Sequence, residues 1–197
     1  MKNYISKRNN VKTLNPWFFT GFTDAEGCFS ISLIRNNQRK VGGWRVNPSF
    51  KISLHEKDLD ILKDIQNFLG VGNISKQGAH SLQFRLFAVK DFAVVFSHFE
   101  NYPLITNKRA DYDLFKEAIR LMEEKEHLTE AGLAKMVAIK ASMNQGLSEE
   151  LKTAFPDVLP VPRPTVVDQI IQDPNWLAGF VSGEGCFQIK IFKSKTT

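Results

Sequence analysis

Two glutamates, Glu26 and Glu184, occupy the same place in a fifteen-residue stretch that occurs twice. The first copy runs from Asn15 to Phe29 and the second from Asp173 to Phe187; they align without a gap at an offset of 158, with seven of the fifteen positions identical. Each copy opens with a short polar residue followed by Pro, an N-cap and first helical position. Each then runs through apolar residues to a carboxylate and a Gly that stops the helix. The pattern predicts a repeated helix with an acid in its last turn, where the helix dipole favours a cation. A bound metal ion would compensate an acid kept there twice. Gly21 and Ala25 stand four apart, as do Gly179 and Gly183, so each helix carries a stripe where another backbone can approach. Packing along those stripes brings Glu26 and Glu184 to one end. A single Glu at a helix end is ordinarily just solvated, but its recurrence after the same helix argues for a role. Asp24 lies two residues earlier on another helix face and has Ser182 as its counterpart, which makes Glu26 the better candidate.

The elements around these helices follow from hydrophobic period. Cys28 to Asn37 alternates, with Phe29, Ile31 and Leu33 on one face and Cys28, Ser30, Ser32 and Ile34 on the other. A turn at Gly42-Gly43 leads to a second strand over Trp44 to His55, with Phe50, Ile52 and Leu54 inward and Arg45, Asn47, Ser49, Lys51 and Ser53 outward. Helices are expected over Lys57–Leu69, Lys90–Glu100, Arg109–Glu126 and Thr129–Asn144. Strands are expected at Gly72–Lys76 and His80–Ala88, the latter setting Leu82, Phe84 and Leu86 against Ser81, Gln83, Arg85 and Phe87. Helix, two strands, helix, two strands, helix makes an α+β fold with helices on one face of an antiparallel sheet. Pro156, Pro160, Pro162 and Pro164 mark Phe155–Asp173 as a semi-rigid linker. The second copy then begins a strand with Phe187, Ile189 and Ile191 inward and Gln188, Lys190 and Phe192 outward. The expected organisation is a basic tail over 1–13, a first unit over 14–154, the linker over 155–173 and the start of a second unit over 174–197.

Composition narrows the partners. A hydrophobic fraction of 43% with 16 Phe fits a packed globular chain. The net charge of +5 suits a polyanion. The two Cys, Cys28 and Cys186, fall at equivalent positions, which indicates inherited symmetry and a reducing compartment rather than a disulfide framework. No apolar run approaches the roughly 20 residues needed to span a membrane. The first thirteen residues lack a secretory signal's apolar stretch, while Lys2, Lys7, Arg8 and Lys12 without an acid leave a short mitochondrial targeting segment open. On the open sheet face stand Ser30, Ser32, Asn36, Lys40, Arg45, Asn47, Lys51, Ser53, Ser75, Gln77, Gln83 and Arg85, nearly free of acid. Outward faces of antiparallel sheets are polar in any protein. These hydroxyls, amides and guanidiniums are nevertheless the groups that read base edges in the DNA major groove, which a two-stranded ribbon fits. Arg35, Arg39, Lys40, Lys57 and Lys76, at strand ends and loops, suit phosphate contacts.

The stretches from Thr20 to Gly27 and from Ala178 to Gly185 resemble the two signature helices of LAGLIDADG homing endonucleases, in particular the single-chain group encoded in fungal mitochondrial introns. Phe50–His55, Tyr102–Thr106 and Lys125–Thr129 resemble that group as well, and the likeness runs from about Leu14 to the end. The resemblance implies a LAGLIDADG fold, two αββαββα repeats with antiparallel, saddle-shaped sheets; this sequence stops one strand into the second repeat. It implies a site-specific endonuclease that makes a metal-dependent double-strand break with short 3′ overhangs at a long asymmetric DNA target. Glu26 and Glu184 are then the catalytic metal ligands, joined by the carbonyls of Ala25 and Gly183, with Mg²⁺ the simplest ion and Ca²⁺ or Mn²⁺ as substitutes. The sheet face, including Ile34, Ser49, Ser81, Gln188, Lys190 and Phe192, becomes the DNA-reading surface. The family's basic residue near the metals is expected from later strands of the second repeat; Lys51, on the equivalent strand of the first repeat, is either its stand-in or an ordinary phosphate or base contact. The partners implied are double-stranded DNA and a C-terminal half carried on a separate chain. Pairing of two copies and a degenerate remnant are the other outcomes for the incomplete repeat. The mitochondrion is the implied location. A maturase that binds intron RNA and a catalytically dead DNA-binding domain are the rival functions.

Overall fold

The structure is a computed structural model that describes residues 14–36, 43–167 and 169–193. Helix α1, Pro16–Glu26, starts where Asn15 accepts from the backbone N–H groups of Trp17 (2.9 Å) and Phe18 (3.2 Å), and Pro16 needs no donor at that position. Strands β1, Gly27–Arg35, and β2, Trp44–His55, follow as an antiparallel pair with Phe29 opposite Phe50. A 3-10 turn leads into α2, Leu59–Leu69, which ends at Gly70 in the left-handed conformation (φ 68°). Strands β3, Asn73–Lys76, and β4, Ser81–Leu86, complete a four-stranded sheet in the order β1-β2-β4-β3. Then come α3, Phe92–Asn101, α4, Lys108–Glu123, α5, Glu130–Ser142, the short α6, Glu149–Ala154, and α7, Pro174–Glu184. The α+β expectation, helix and strand pair repeated, is met, with boundaries shifted by a residue or a few.

The core lies between one sheet face and the helices. Phe29 is fully buried and packs its ring 4.8 Å from Phe50, 5.4 Å from Tyr112 and 5.6 Å from Phe115. Burying each such ring contributes about 1.5–3 kcal/mol, so this cluster fixes β1, and hence the end of α1, against the helical layer.

One expectation needs correction. Residues 185–193 form no strand, and Phe187, Ile189 and Ile191, expected inward, are each more than 90% exposed. A strand needs a neighbour to satisfy its backbone and cover one face, and no described residue pairs with this segment. Gln188, Lys190 and Phe192 are exposed with it, on no sheet face. The Pro-rich segment, expected as a semi-rigid linker, lies fastened to the core. Phe155, Val158 and Val161 pack on the core, Val161 N–H donates to the Ala138 carbonyl (3.2 Å), and Arg163 pairs with Asp111 at 2.8 and 3.1 Å. Proline spacing shows stiffness but not what the intervening valines touch. The six-residue α6, capped by Ser148, is too short to register as a hydrophobic period.

Candidate active site and nucleic-acid interface

Helices α1 and α7 meet backbone to backbone. A Cβ on Gly21 would stand 1.9 Å from the Trp176 carbonyl oxygen, and one on Gly179 would stand 2.1 Å from that of Phe18. Only glycine permits that approach, as the small-residue stripes predict. At the C-terminal end of the pair the same geometry holds, since a Cβ on Gly183 would lie 2.6 Å from Ala25 Cβ and 2.9 Å from Glu26 Cγ. The pairing brings the two glutamates into each other's field. Burial first, and then the charge of Glu184, raises the Glu26 carboxyl above its ordinary value, against the opposing pull of Lys108. Two carboxylates that repel each other at a helix end form a place that a cation stabilises. Glu26 is half-buried and Glu184 exposed.

Lys108 is a site residue that the sequence patterns pass over. Its ammonium donates to the carbonyls of Thr23 (3.0 Å) and Ala25 (2.9 Å), at the end of α1. Burial pulls it below the usual lysine value, opposed by the carboxylates of Asp24, Glu26 and Glu184. A signal was present: Lys108 is the first residue of α4, and a cation in a helix's first turn is misplaced against the dipole just as Glu26 is in a last turn. Lys108, rather than Lys51, is therefore the basic group beside these carboxylates; Lys51 stands on the open sheet face. Asp24 has a separate task. It is buried and accepts from Ile105 N–H (3.0 Å), Thr106 N–H (3.3 Å), the Thr106 hydroxyl (2.6 Å) and the Trp176 indole N–H (2.9 Å). Both its oxygens are engaged, which explains why it is no rival to Glu26. Ser182, its counterpart, is exposed and donates to its own helix at Ala178 (2.7 Å).

Among the described residues no three or more His, Cys, Asp or Glu side chains gather as a metal cage. The available oxygens are two carboxylates and backbone carbonyls, a set that suits a hard divalent ion keeping several waters. Lys108 uses one lone pair of the Ala25 carbonyl and leaves the other open.

The strand register assembles the open face. Ser30 stands opposite Ser49, Ser32 opposite Asn47 and Ile34 opposite Arg45. Cys28, Lys51, Arg85 and Asn73 form one row across all four strands, and Ser53, Gln83 and Ser75 form the next. Ser81 lies across from His55, and Gln77, just past β3, donates its N–H to the Ser81 carbonyl (2.9 Å). These residues share one face, and none of them is acidic. Two are less available than alternation suggests. Ser49 is buried in a hydroxyl pair with Ser30 (2.9 Å), and Gln83 is buried and donates to Ser53 Oγ (2.9 Å). Arg35 lies over the Trp44 ring, 4.7 Å from its centroid, and 3.7 Å from Glu150, so part of its charge is spent inside the protein. Asn36 is half-buried, while Arg39 and Lys40 lie outside the described residues.

The family model of the LAGLIDADG endonuclease matches residues 19–119, from within α1 to the last turns of α4. The chain belongs to the LAGLIDADG endonuclease family. A curated relative, the probable intron-encoded endonuclease 3 of Neurospora crassa, is 42% identical over 193 residues, covering 96% of this chain and 36% of its own length. The solved structure of the LAGLIDADG meganuclease I-CpaMI bound to uncleaved DNA is 50% identical with a TM-score of 0.90, over 93% of this chain and 63% of that one. That of I-SmaMI bound to an uncleaved DNA target in the presence of calcium ions is 44% identical, also with a TM-score of 0.90, and covers the same shares. This LAGLIDADG chain thus spans about a third of that curated relative and under two thirds of the solved chains. Its signature helices are α1 and α7, the pair that carries Glu26 and Glu184.

Proposed function

We propose that this chain is part of a site-specific DNA endonuclease that hydrolyses phosphodiesters with divalent metal, Mg²⁺ in the cell, at a long asymmetric duplex target. The observation that carries the reading is the convergence of Glu26 and Glu184 at one end of a glycine-tight helix pair, with Lys108 beside them. Glu26 and Glu184, with the carbonyl oxygens of Ala25 and Gly183, would hold the divalent ions. Bound there, such an ion would supply a water of lowered pKa and charge neutralisation for the leaving 3′ oxygen. Lys108 adds a fixed positive charge for the phosphate being cut. The open face, from Ser30 and Ser32 on β1 to Arg85 on β4, reads base edges in the major groove. The exposed apolar run Phe187, Ile189, Ile191 and Phe192 supports a second part of the reading, in which further strands of the second repeat pair with this segment and cover it. A fungal mitochondrion is the proposed setting, consistent with the intron-encoded relative.

The test is Mg²⁺-dependent cleavage of a duplex library by the assembled particle. Glu26→Gln should lower cleavage on the order of a thousand-fold, about 4 kcal/mol, while DNA binding persists; retained cutting removes the assignment. The mass of the native particle decides the partner. A 22.4 kDa chain travelling with a second, different polypeptide supports the complement, whereas a homodimer would move the site to two copies of Glu26.

A further inference from the structure

Strand β1 is the sheet's outer edge, and its flank is not bare. The turn after α5 is fastened to it. Asn144, in the left-handed conformation (φ 48°), donates its side-chain amide to the Phe29 carbonyl at 2.9 Å, and its backbone N–H goes to Asp111 Oδ1 at 2.9 Å. Asp111 is held in turn by Arg163. This chain of bonds sets the residues after α5 across from the side chains that β1 and β2 project from the open face. Between them lies an open cavity of about 410 Å³. Ser30, Ser32 and Lys51 line one side; Lys140, Gln145 and Ser148 line the other, and no acid is among the lining residues.

The two lysines make this more than a polar groove. Each is half-buried, and neither ammonium has a hydrogen bond or ion pair among the described residues. Other lysines of the helical layer have a carboxylate partner: Lys116 with Glu100, Lys135 with Glu126 and Lys152 with Glu149. Burial also pulls the Lys140 ammonium below its ordinary value, while Asp111, the carboxylate whose charge reaches it, is already engaged by Arg163. Two partly desolvated, unpartnered ammoniums facing one cavity with hydroxyl and amide donors form a site for an anion that carries several oxygens. The cavity runs along β1 away from the cleavage centre: Lys51 stands opposite Cys28, two residues past Glu26, and Ser30 lies four residues past Glu26, about 13 Å along an extended strand.

We propose that this cavity takes a non-scissile backbone phosphate of bound duplex DNA, with Lys140 and Lys51 as its paired cations. The proposal rests on the endonuclease reading and deepens it: Lys51 positions the duplex rather than reading a base, and the DNA footprint extends beyond the sheet to the turn after α5. The experiment is a salt titration of the assembled particle on duplex DNAs of different sequence. Lys140→Gln should weaken binding several-fold at low salt, equally for every duplex, and reduce the slope of log K against log salt by about 1. Lys51→Gln should do the same, and Lys140→Arg should keep the wild-type slope. A thermal melt of each variant separates loss of contact from loss of fold. An unchanged slope in both Gln variants, a loss confined to some base sequences, or a loss seen on structured RNA but not on duplex overturns the site. Wild-type protein that shows no salt-dependent duplex binding instead removes the endonuclease reading, and the site with it.

Discussion

The two copies of the signature helix carry the same carboxylate into different surroundings. The first copy is anchored at every turn. Thr20 donates to the Tyr102 carbonyl (2.9 Å) and meets His98 Nε2 (2.9 Å), Asp24 gathers four donors, and the carbonyls of Thr23 and Ala25 hold Lys108. The second copy has Ala178 where the first has Thr20 and Ser182 where it has Asp24, both exposed. Its hold on the rest of the protein is the seam with α1 and one indole, Trp176. The motif therefore specifies a helix and an acid, while the layer packed behind it decides whether that acid sits in a shaped field. Glu26 does; Glu184 borrows its surroundings from the first copy.

Breaking the seam should have the largest effect. Gly179→Ala places a methyl within 2.1 Å of the Phe18 carbonyl oxygen, a backbone atom that cannot turn aside. The expected cost is about 4 kcal/mol or more, beyond ordinary overpacking, and α7 should undock while the first unit stays folded. Rapid proteolysis after Pro164 beside an intact far-UV spectrum checks this; joint loss of both would show that the two copies fold as one. Asp24→Ala should rank next, at about 3 kcal/mol, because it strands the N–H groups of Ile105 and Thr106 and the Trp176 indole together. Urea melts measure it, and the loop ahead of Lys108 should lose hydrogen-exchange protection first.

Much of this asymmetry was hidden from pattern reading. The helix pair, the strand alternation and the convergence of Glu26 with Glu184 were legible because small-residue spacing and period two are local signals. Asp24 could be set aside as a ligand from its helix face, but its partners at Ile105, Thr106 and Trp176 lie 81 to 152 residues away. Nothing local announces such pairs. Lys108 had a local signal, a cation at the wrong end of a helix, of the kind that singles out Glu26. The strand expected after α7 failed because alternation shows what a segment can pair with, not whether a neighbour stands beside it.

Acid should unsettle the first copy alone. His98 is buried against Phe19, Phe68 and Phe99, and burial lowers its pKa to about 4. Because Thr20 gives its proton to Tyr102, it accepts from His98 Nε2, and burial keeps the imidazole neutral. With a folded value below the ordinary value of about 6.5, the unfolded chain binds the extra proton first as pH falls. Stability is thus full above about pH 6.5 and declines towards pH 4, with about 2 kcal/mol lost between pH 7 and 5. Urea melts across that range should show the decline, and His98→Gln should flatten it. An equal decline in the variant would move the effect to other groups.

The smallest effect sharpens the contrast most. Ser182 is the structural counterpart of Asp24, but its hydroxyl donates only to Ala178 within the same exposed helix (2.7 Å). Removing it frees a carbonyl that water can reach and substitutes the best helix former for a poorer one, and these two changes nearly cancel. Ser182→Ala should therefore shift stability by less than about 0.5 kcal/mol in either direction. Combined with Asp24→Ala, it should add nothing beyond the sum, since the two side chains share no partner. A coupling above about 1 kcal/mol in that double-mutant cycle would mean that position 182 senses the Asp24 network through the seam, and the second copy would then be more than a carrier for its glutamate.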